Sequence, residues 1–215
     1  MNRKLFSLLV LFSFVSLGLQ AQKPFTEGTI VYNVNVESPD KDIQTTGTYT
    51  FTIKGKQIRK ELKMNNGYED ILICNSNAHT AYSLQKKADK KYAIQLDIDD
   101  IENKQNKYLG FKISGKGKDK KIAGYLAQKG QIAYNDGNTY VLYYSDELYP
   151  GDENMYDRFP GIKVMPLSFY YKDDKGMVMN FYAEKIKVEP IENVVFSIPS
   201  DYKIISHSEY MQMNK

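Results

Sequence analysis

Apolar and polar residues alternate in this chain over run after run, and Asn-Gly and Asp-Gly turns cut the runs apart. That pattern commits it to antiparallel β-sheet. Ile30, Tyr32, Val34 and Val36 alternate with Val31, Asn33 and Asn35, and Tyr49, Phe51 and Ile53 with Thr48, Thr50 and Thr52. Tyr92, Ile94 and Leu96 alternate with Lys91 and Gln95, and Tyr140, Leu142 and Tyr144 repeat the pattern. Period two places one set of side chains on each face of a strand. The 18 tyrosines and 10 phenylalanines are residues that suit a half-buried pleated surface. Asn65-Asn66-Gly67, Asn135-Asp136-Gly137 and Asp173-Asp174-Lys175-Gly176 fall between such runs, where their ease at positive φ closes hairpins. The spacing predicts about ten strands in meander order within one large antiparallel sheet.

Two segments break the alternation. Asp97 to Leu109 is polar, with an acidic first turn and later lysines, and predicts a short helix. Tyr149 to Gly161 is rich in Pro, Gly and acidic residues and predicts a long loop, with room for one helical turn. A sheet of this size with so few helices cannot leave its apolar face in water. It must curl on itself or hold a ligand or partner.

The ends bound the compartment. Arg3 and Lys4 precede an apolar stretch from Leu5 to Leu17, and Leu19-Gln20-Ala21 offers a cleavage site before Gln22. The apolar stretch is short for a membrane span, which takes about 20 residues. The expected organisation is a cleaved signal peptide at 1–21 and a single β-rich domain at 22–215 that ends in a polar tail from Lys203. The expected destination is the periplasm, with release to the exterior as the alternative. Without Arg3 and Lys4, 27 of the 29 basic residues face 26 acidic ones, a net charge of +1 rather than +3. That near-neutral balance argues against nucleic acid as a partner. Cys74 is the one cysteine, so stability comes from packing rather than a disulfide. Its place at the end of the run Ile71-Leu72-Ile73 predicts a small buried thiol.

No catalytic constellation stands out. His79 and His207 are the two histidines, and there is no nucleophile elbow, P-loop or paired-histidine zinc motif. Asp97, Asp99, Asp100 and Glu102 suggest a calcium loop. The EF-hand pattern, however, wants an oxygen ligand and then a glycine where Ile101 and Glu102 stand, so an acidic helix start is the better account. Gly110, Gly115 and Gly117 lack the strand-then-helix setting of a dinucleotide fingerprint. The expectation is a protein with no catalytic residue, metal site or cofactor.

Several local motifs, taken with the hairpin layout, resemble the DUF4412-type envelope proteins of Bacteroidetes. They are Gly28-Thr29-Ile30-Val31-Tyr32, Lys56-Gln57-Ile58-Arg59-Lys60-Glu61, Lys121-Ile122-Ala123-Gly124-Tyr125, and Pro160-Gly161 through Met165-Pro166-Leu167. The last is the closing Phe196-Ser197-Ile198-Pro199-Ser200-Asp201-Tyr202. Ala127 and Tyr143 stand where that family often carries Cys and Trp. The family is regarded as similar to the LolA/LolB-like lipoprotein carriers. The resemblance therefore implies a strongly curved antiparallel half-barrel, with helices closing its concave side and acyl chains held between sheet and helices.

The functional expectation is a non-enzymatic periplasmic binder of an apolar ligand, a lipid or lipoprotein acyl chain. Tyr49, Phe51, Ile53, Tyr92, Ile94, Tyr140, Leu142 and Tyr144 would line its pocket, and the loop Tyr149–Gly161 would open and close it. A one-residue register shift on any strand inverts the inward set. The alternative is a structural or interaction module of the envelope, its sheet filled by its own side chains and its partner another envelope protein. A large apolar cavity favours the first reading and a filled interior the second.

Overall fold

Each turn signal closes a hairpin in the computed structural model, which describes residues 22–213 except 41, 88, 116, 118 and 174. The segment read as an export signal, 1–21, lies outside the described residues. The strands begin with β1 (Lys23–Phe25), β2 (Glu27–Glu37), β3 (Ile43–Lys54), β4 (Gln57–Met64) and β5 (Glu69–Asn75). They continue with β6 (Thr80–Lys87), β7 (Lys90–Leu96), β8 (Lys112–Ser114), β9 (Lys120–Ile122) and β10 (Tyr125–Ala133). The last five are β11 (Thr139–Ser145), β12 (Leu148–Pro150), β13 (Met165–Lys172), β14 (Val178–Lys187) and β15 (Lys203–Ser206). Two α-helices are described: α1 (Ile98–Gln105), which runs on into a 3-10 turn at Asn106–Tyr108, and α2 (His207–Gln212).

Thirteen strands form one open sheet in the order β15-β7-β6-β5-β4-β3-β2-β14-β13-β11-β10-β8, with β9 also paired to β10. The expected mainly-β half-barrel with few helices is therefore what forms. Three features depart from a ten-strand meander. Strands of three residues, such as β8 and β9, are too short for alternation to register. β14 returns to pair with β2, so the two halves of the chain meet at the centre of the sheet. β15 adds in parallel beside β7. Residues 203–212, expected as a polar tail, are instead this edge strand and α2. The apolar signal there is confined to Ile204-Ile205, and Ile205 packs on Tyr92 and Ile94.

One face of the sheet is apolar and is covered by the chain itself. Ile30, Tyr32 and Val34 of β2, Phe51 and Ile53 of β3, and Phe169 and Phe181 of β13 and β14 are buried there. The opposite face is covered in part by the segment that links β14 to β15. Its Phe196 packs on Ile71, Ile73, Leu84 and Ala93, with Ile191, Ile198 and Tyr202 alongside. The Lys54 ammonium donates to the Ile191 carbonyl at 2.7 Å, and the Ile191 N–H donates to Glu27 at 2.9 Å.

Backbone geometry accounts for several of the short motifs. Gly28 sits at φ +144°, and a Cβ there would meet the Lys187 carbonyl oxygen of β14 at 2.1 Å. Ala123 and Gly124 hold φ of 49° and 87° in the two-residue turn between β9 and β10, as a tight hairpin requires. Ala127 is fully buried, and Tyr143 lies under the Lys120 ammonium, 3.7 Å from the ring centre.

Candidate functional site

The concave face is occupied by the chain between β12 and β13. Met155, Tyr156, Phe159 and Ile162 are all buried within the main core. Their carriers are a series of tight turns: the Met155 N–H donates to the Asp152 carbonyl, Phe159 to Tyr156, and Ile162 to Phe159. Tyr156 lies with its ring centre 5.0 Å from that of Phe51 and 6.0 Å from that of Phe169, and Phe159 lies 5.4 Å from Phe169. The Tyr32 hydroxyl donates to the Pro166 carbonyl at 2.8 Å, which leaves the Tyr156 hydroxyl to donate to Tyr32 at 2.5 Å. Burial pushes the pKa of Tyr32 and of Tyr156 well above the ordinary phenol value. Arg158 stands over the rings of Tyr171 and Tyr108, at 4.5 and 5.5 Å.

This segment, expected as a loop that opens and closes a site, is thus a plug. Four large apolar side chains on it sit in the core, and removing them from water holds it down. Sequence reasoning missed it because Pro, Gly and acidic residues surround the four. The signal was their spacing: positions 155, 156, 159 and 162 follow the three-and-four rhythm of a helical face.

Polar ties fix the plug at its edge. Lys60 points from β4 into the concave side with 6 % of its side chain exposed, and its ammonium meets Asp157 at 2.5 Å. The buried Asp152 carboxylate accepts the Asn154 N–H at 2.9 Å on one oxygen, while the other faces the Lys56 ammonium at 2.9 Å as an ion pair without hydrogen-bond geometry. α1 closes over this edge. Asp97 caps it by accepting the Asp99 N–H at 2.9 Å, and Asp99 and Asp100 complement the positive end of the helix. Gln105 donates to Asp157 at 3.3 Å and Asn154 to Glu102 at 3.3 Å, so helix, plug and strand β4 share one polar seam.

Beneath α1 lies a cavity of about 30 Å³, walled by Ile58, Leu72 and Cys74 of the sheet and by Ile98, Ile101 and Gln105 of the helix. It has room for little more than a water or two, far below the roughly 300 Å³ at which ligand pockets begin. Cys74, expected to be buried, keeps some exposure because this cavity lies against it. Its thiol is still pushed up to about 11 by burial. At pH 8 about one thiol in a thousand is then ionised, so alkylation of the native protein is expected to run about a hundredfold slower than in urea. Equal rates measured with a thiol reagent would contradict that placement.

The eight residues expected to line a pocket fall into three groups. Tyr49, Phe51 and Ile53 share the plugged face, where Tyr49 and Phe51 pack with ring centres 4.5 Å apart. Tyr92 and Ile94 belong to a separate cluster at the β7 edge, with Ile205 and Tyr210. Tyr140 packs on Tyr134 and Tyr170, while Leu142 and Tyr144 are buried farther along the same strand. His79 is exposed and meets Asp99 at 3.2 Å, and His207 opens α2. Among the described residues, no three or more His, Cys, Asp or Glu side chains are grouped so as to hold a metal ion. Nor is any helix among them long and apolar enough to cross a membrane.

Fold and seam together define an open antiparallel half-barrel with its concave side stoppered from within. No family model and no curated protein matches the chain. Among solved structures it is similar to an uncharacterized conserved protein from Thermus thermophilus. That match has a TM-score of 0.50 at 11 % identity and covers 94 % of this chain and 99 % of that one. It is also similar to MucB in the Pseudomonas aeruginosa MucA/MucB complex, with a TM-score of 0.43 at 11 % identity over 84 % of this chain and 59 % of that one. A domain described as outer membrane lipoprotein-sorting from Vibrio parahaemolyticus gives 0.35 at 9 % identity over 82 % and 91 %. At such identities the likeness to the Thermus protein speaks to the fold alone.

Proposed function

We infer that this protein is a non-enzymatic interaction module of the bacterial envelope, acting in the periplasm through its surface rather than through an internal pocket. The observation that carries the reading is the plug: Met155, Tyr156 and Phe159 take the volume that an acyl chain would need. The export expected from residues 1–21 supports the compartment.

A second reading, capture of an apolar ligand, draws on the crevice beneath α1. Its walls include Ile58, Leu72, Ile98 and Ile101 beside Lys60, Ser76, Glu102 and Asn154, and α1 is tied to the plug through Gln105–Asp157 and Glu102–Asn154. Lifting α1 would expose Ile58, Leu72, Ile98 and Ile101 to a chain end.

Native mass spectrometry of the protein purified from its own envelope separates the two. The module reading expects the bare mass of the chain, or that mass with a protein partner. A stoichiometric lipid adduct would overturn it in favour of the second.

A further inference from the structure

Arg158 is a charged plug residue that the polar seam leaves out. Its neighbour Asp157 turns to Lys60 and Gln105. The Arg158 guanidinium instead lies on the rings of Tyr171 in β13 and Tyr108 in the 3-10 turn after α1, 4.5 and 5.5 Å from their centres. Among the described residues it donates no hydrogen bond and has no carboxylate within ion-pair distance, so its five N–H donors are left to solvent or to a ligand. Its backbone is held from two sides. The Arg158 carbonyl accepts the Tyr134 hydroxyl at 2.7 Å, and Phe159, the next residue, is buried in the core. Tyr134 also packs edge-on against Tyr108, with ring centres 5.5 Å apart. Arg158, Tyr108 and Tyr171 are each half-buried and keep one side toward water. A second cation adds to the positive field. The exposed Lys107 ammonium lies 4.9 Å from the centre of the Tyr108 ring, and among the described residues no carboxylate pairs with it. The two carboxylates whose charge is felt at Tyr171 and Tyr134 are engaged elsewhere. Asp157 is held by Lys60, and Asp136 accepts the backbone and side-chain N–H groups of Asn138 at 2.9 and 2.8 Å.

Resting on the interaction-module reading above, we propose that Arg158, flanked by Tyr108 and Tyr171, receives an Asp or Glu carboxylate of a protein partner. A guanidinium without an acceptor is complementary to an anion, and its planar fork matches the two oxygens of a carboxylate. Stacking on two rings sets the plane of the fork before the partner arrives, so less side-chain freedom is lost on binding. Arginine and tyrosine are also the residues in which the binding energy of protein interfaces concentrates. Other anions fit worse. An anionic membrane is held by clusters of about four to eight basic residues, whereas this aromatic cluster carries Arg158 and Lys107. A nucleic acid wants a cationic groove and a clear basic excess, and the domain is nearly neutral.

The test follows the Arg158 Nε–H signal by NMR while acetyl-tetraglutamate amide is titrated into the purified protein. A saturable shift is expected, with none from the tetraglutamine counterpart. Arg158→Gln is expected to weaken binding about tenfold, read from backbone amide shifts, and Arg158→Lys about as much, because it keeps the charge and loses the fork. Lys185→Gln, exposed on β14, removes a charge elsewhere and is expected to bind as the wild type does. Circular dichroism melts that match the wild type would show that the variants are folded. No shift with the glutamate peptide, an equal shift with the glutamine peptide, or unchanged affinity in Arg158→Gln overturns the proposal. A response to inorganic phosphate or to phosphatidylglycerol vesicles, with none to the glutamate peptide, overturns it too and assigns the cluster to a phosphate group. Native mass spectrometry keeps the two readings apart. A carried lipid sinks the module, whereas a failed titration with protein of bare mass sinks the Arg158 anchor alone.

Discussion

Truncating Tyr156 to alanine is expected to cost about 3–5 kcal/mol of folding stability, read from urea or thermal unfolding. The side chain is 1 % exposed and sits where plug and sheet meet. Removing the ring forfeits its transfer out of water and opens a hole among Phe51, Phe159 and Phe169, whose positions are fixed by strands or by the neighbouring turn. The hydroxyl is the smaller part. Tyr32 keeps its bond to the Pro166 carbonyl when Tyr156 is lost, so Tyr156→Phe is expected to cost about 1 kcal/mol. A second readout bears on function. An apolar hole in a rigid core stays dry and accepts small apolar guests. Tyr156→Ala should therefore gain affinity for an apolar fluorescent probe that the wild type does not bind. A variant that melts like the wild type would mean that the plug is not core. A wild type that already binds the probe would point back to an acyl-chain site.

That contrast explains how far the sequence could be read. Alternation identifies strands because it follows from the pleat, and it identifies which residues of a strand share a face. Tyr49, Phe51 and Ile53 were therefore legible as an apolar set. What fills the space above them was not, because a bound lipid and the chain's own Tyr156 and Phe159 satisfy that face by the same chemistry. Long-range pairing was equally hidden. Nothing local to Val178–Lys187 selects β2 as its neighbour, and nothing in Ile204-Ile205 announces a parallel edge strand reached by a crossover over the outer face. The motifs behind the envelope-protein resemblance turn out to hold structural positions. Gly28 leaves room for the Lys187 carbonyl of the neighbouring strand, and Ala123-Gly124 turns a hairpin. Phe196, Ile198 and Tyr202 pin down the outer covering segment. Such residues speak to the fold.

The ion pair at the plug's edge should respond asymmetrically to mutation. Lys60 has 6 % of its side chain exposed, whereas Asp157 has 50 %. Removing the lysine leaves a carboxylate that water can reach and that Gln105 already contacts. Lys60→Met keeps the length and apolar stem of the side chain and spares the desolvation of an ammonium, so a change within about 1 kcal/mol of wild type is expected. Asp157→Ala does the reverse. It strands the ammonium beside the Phe51 ring, 5.9 Å from its centre, with the Asn154 carbonyl at 3.4 Å as its remaining acceptor. The expected cost is about 1–3 kcal/mol, below that of a fully buried pair because the partner was half solvated. In Lys60→Met/Asp157→Ala no charge is left to strand, so the double variant should regain most of the loss, and a double-mutant cycle from urea melts measures the coupling. A negligible loss in Asp157→Ala would instead make Asp157 an ordinary surface carboxylate and remove this ion pair from the contacts that hold the plug.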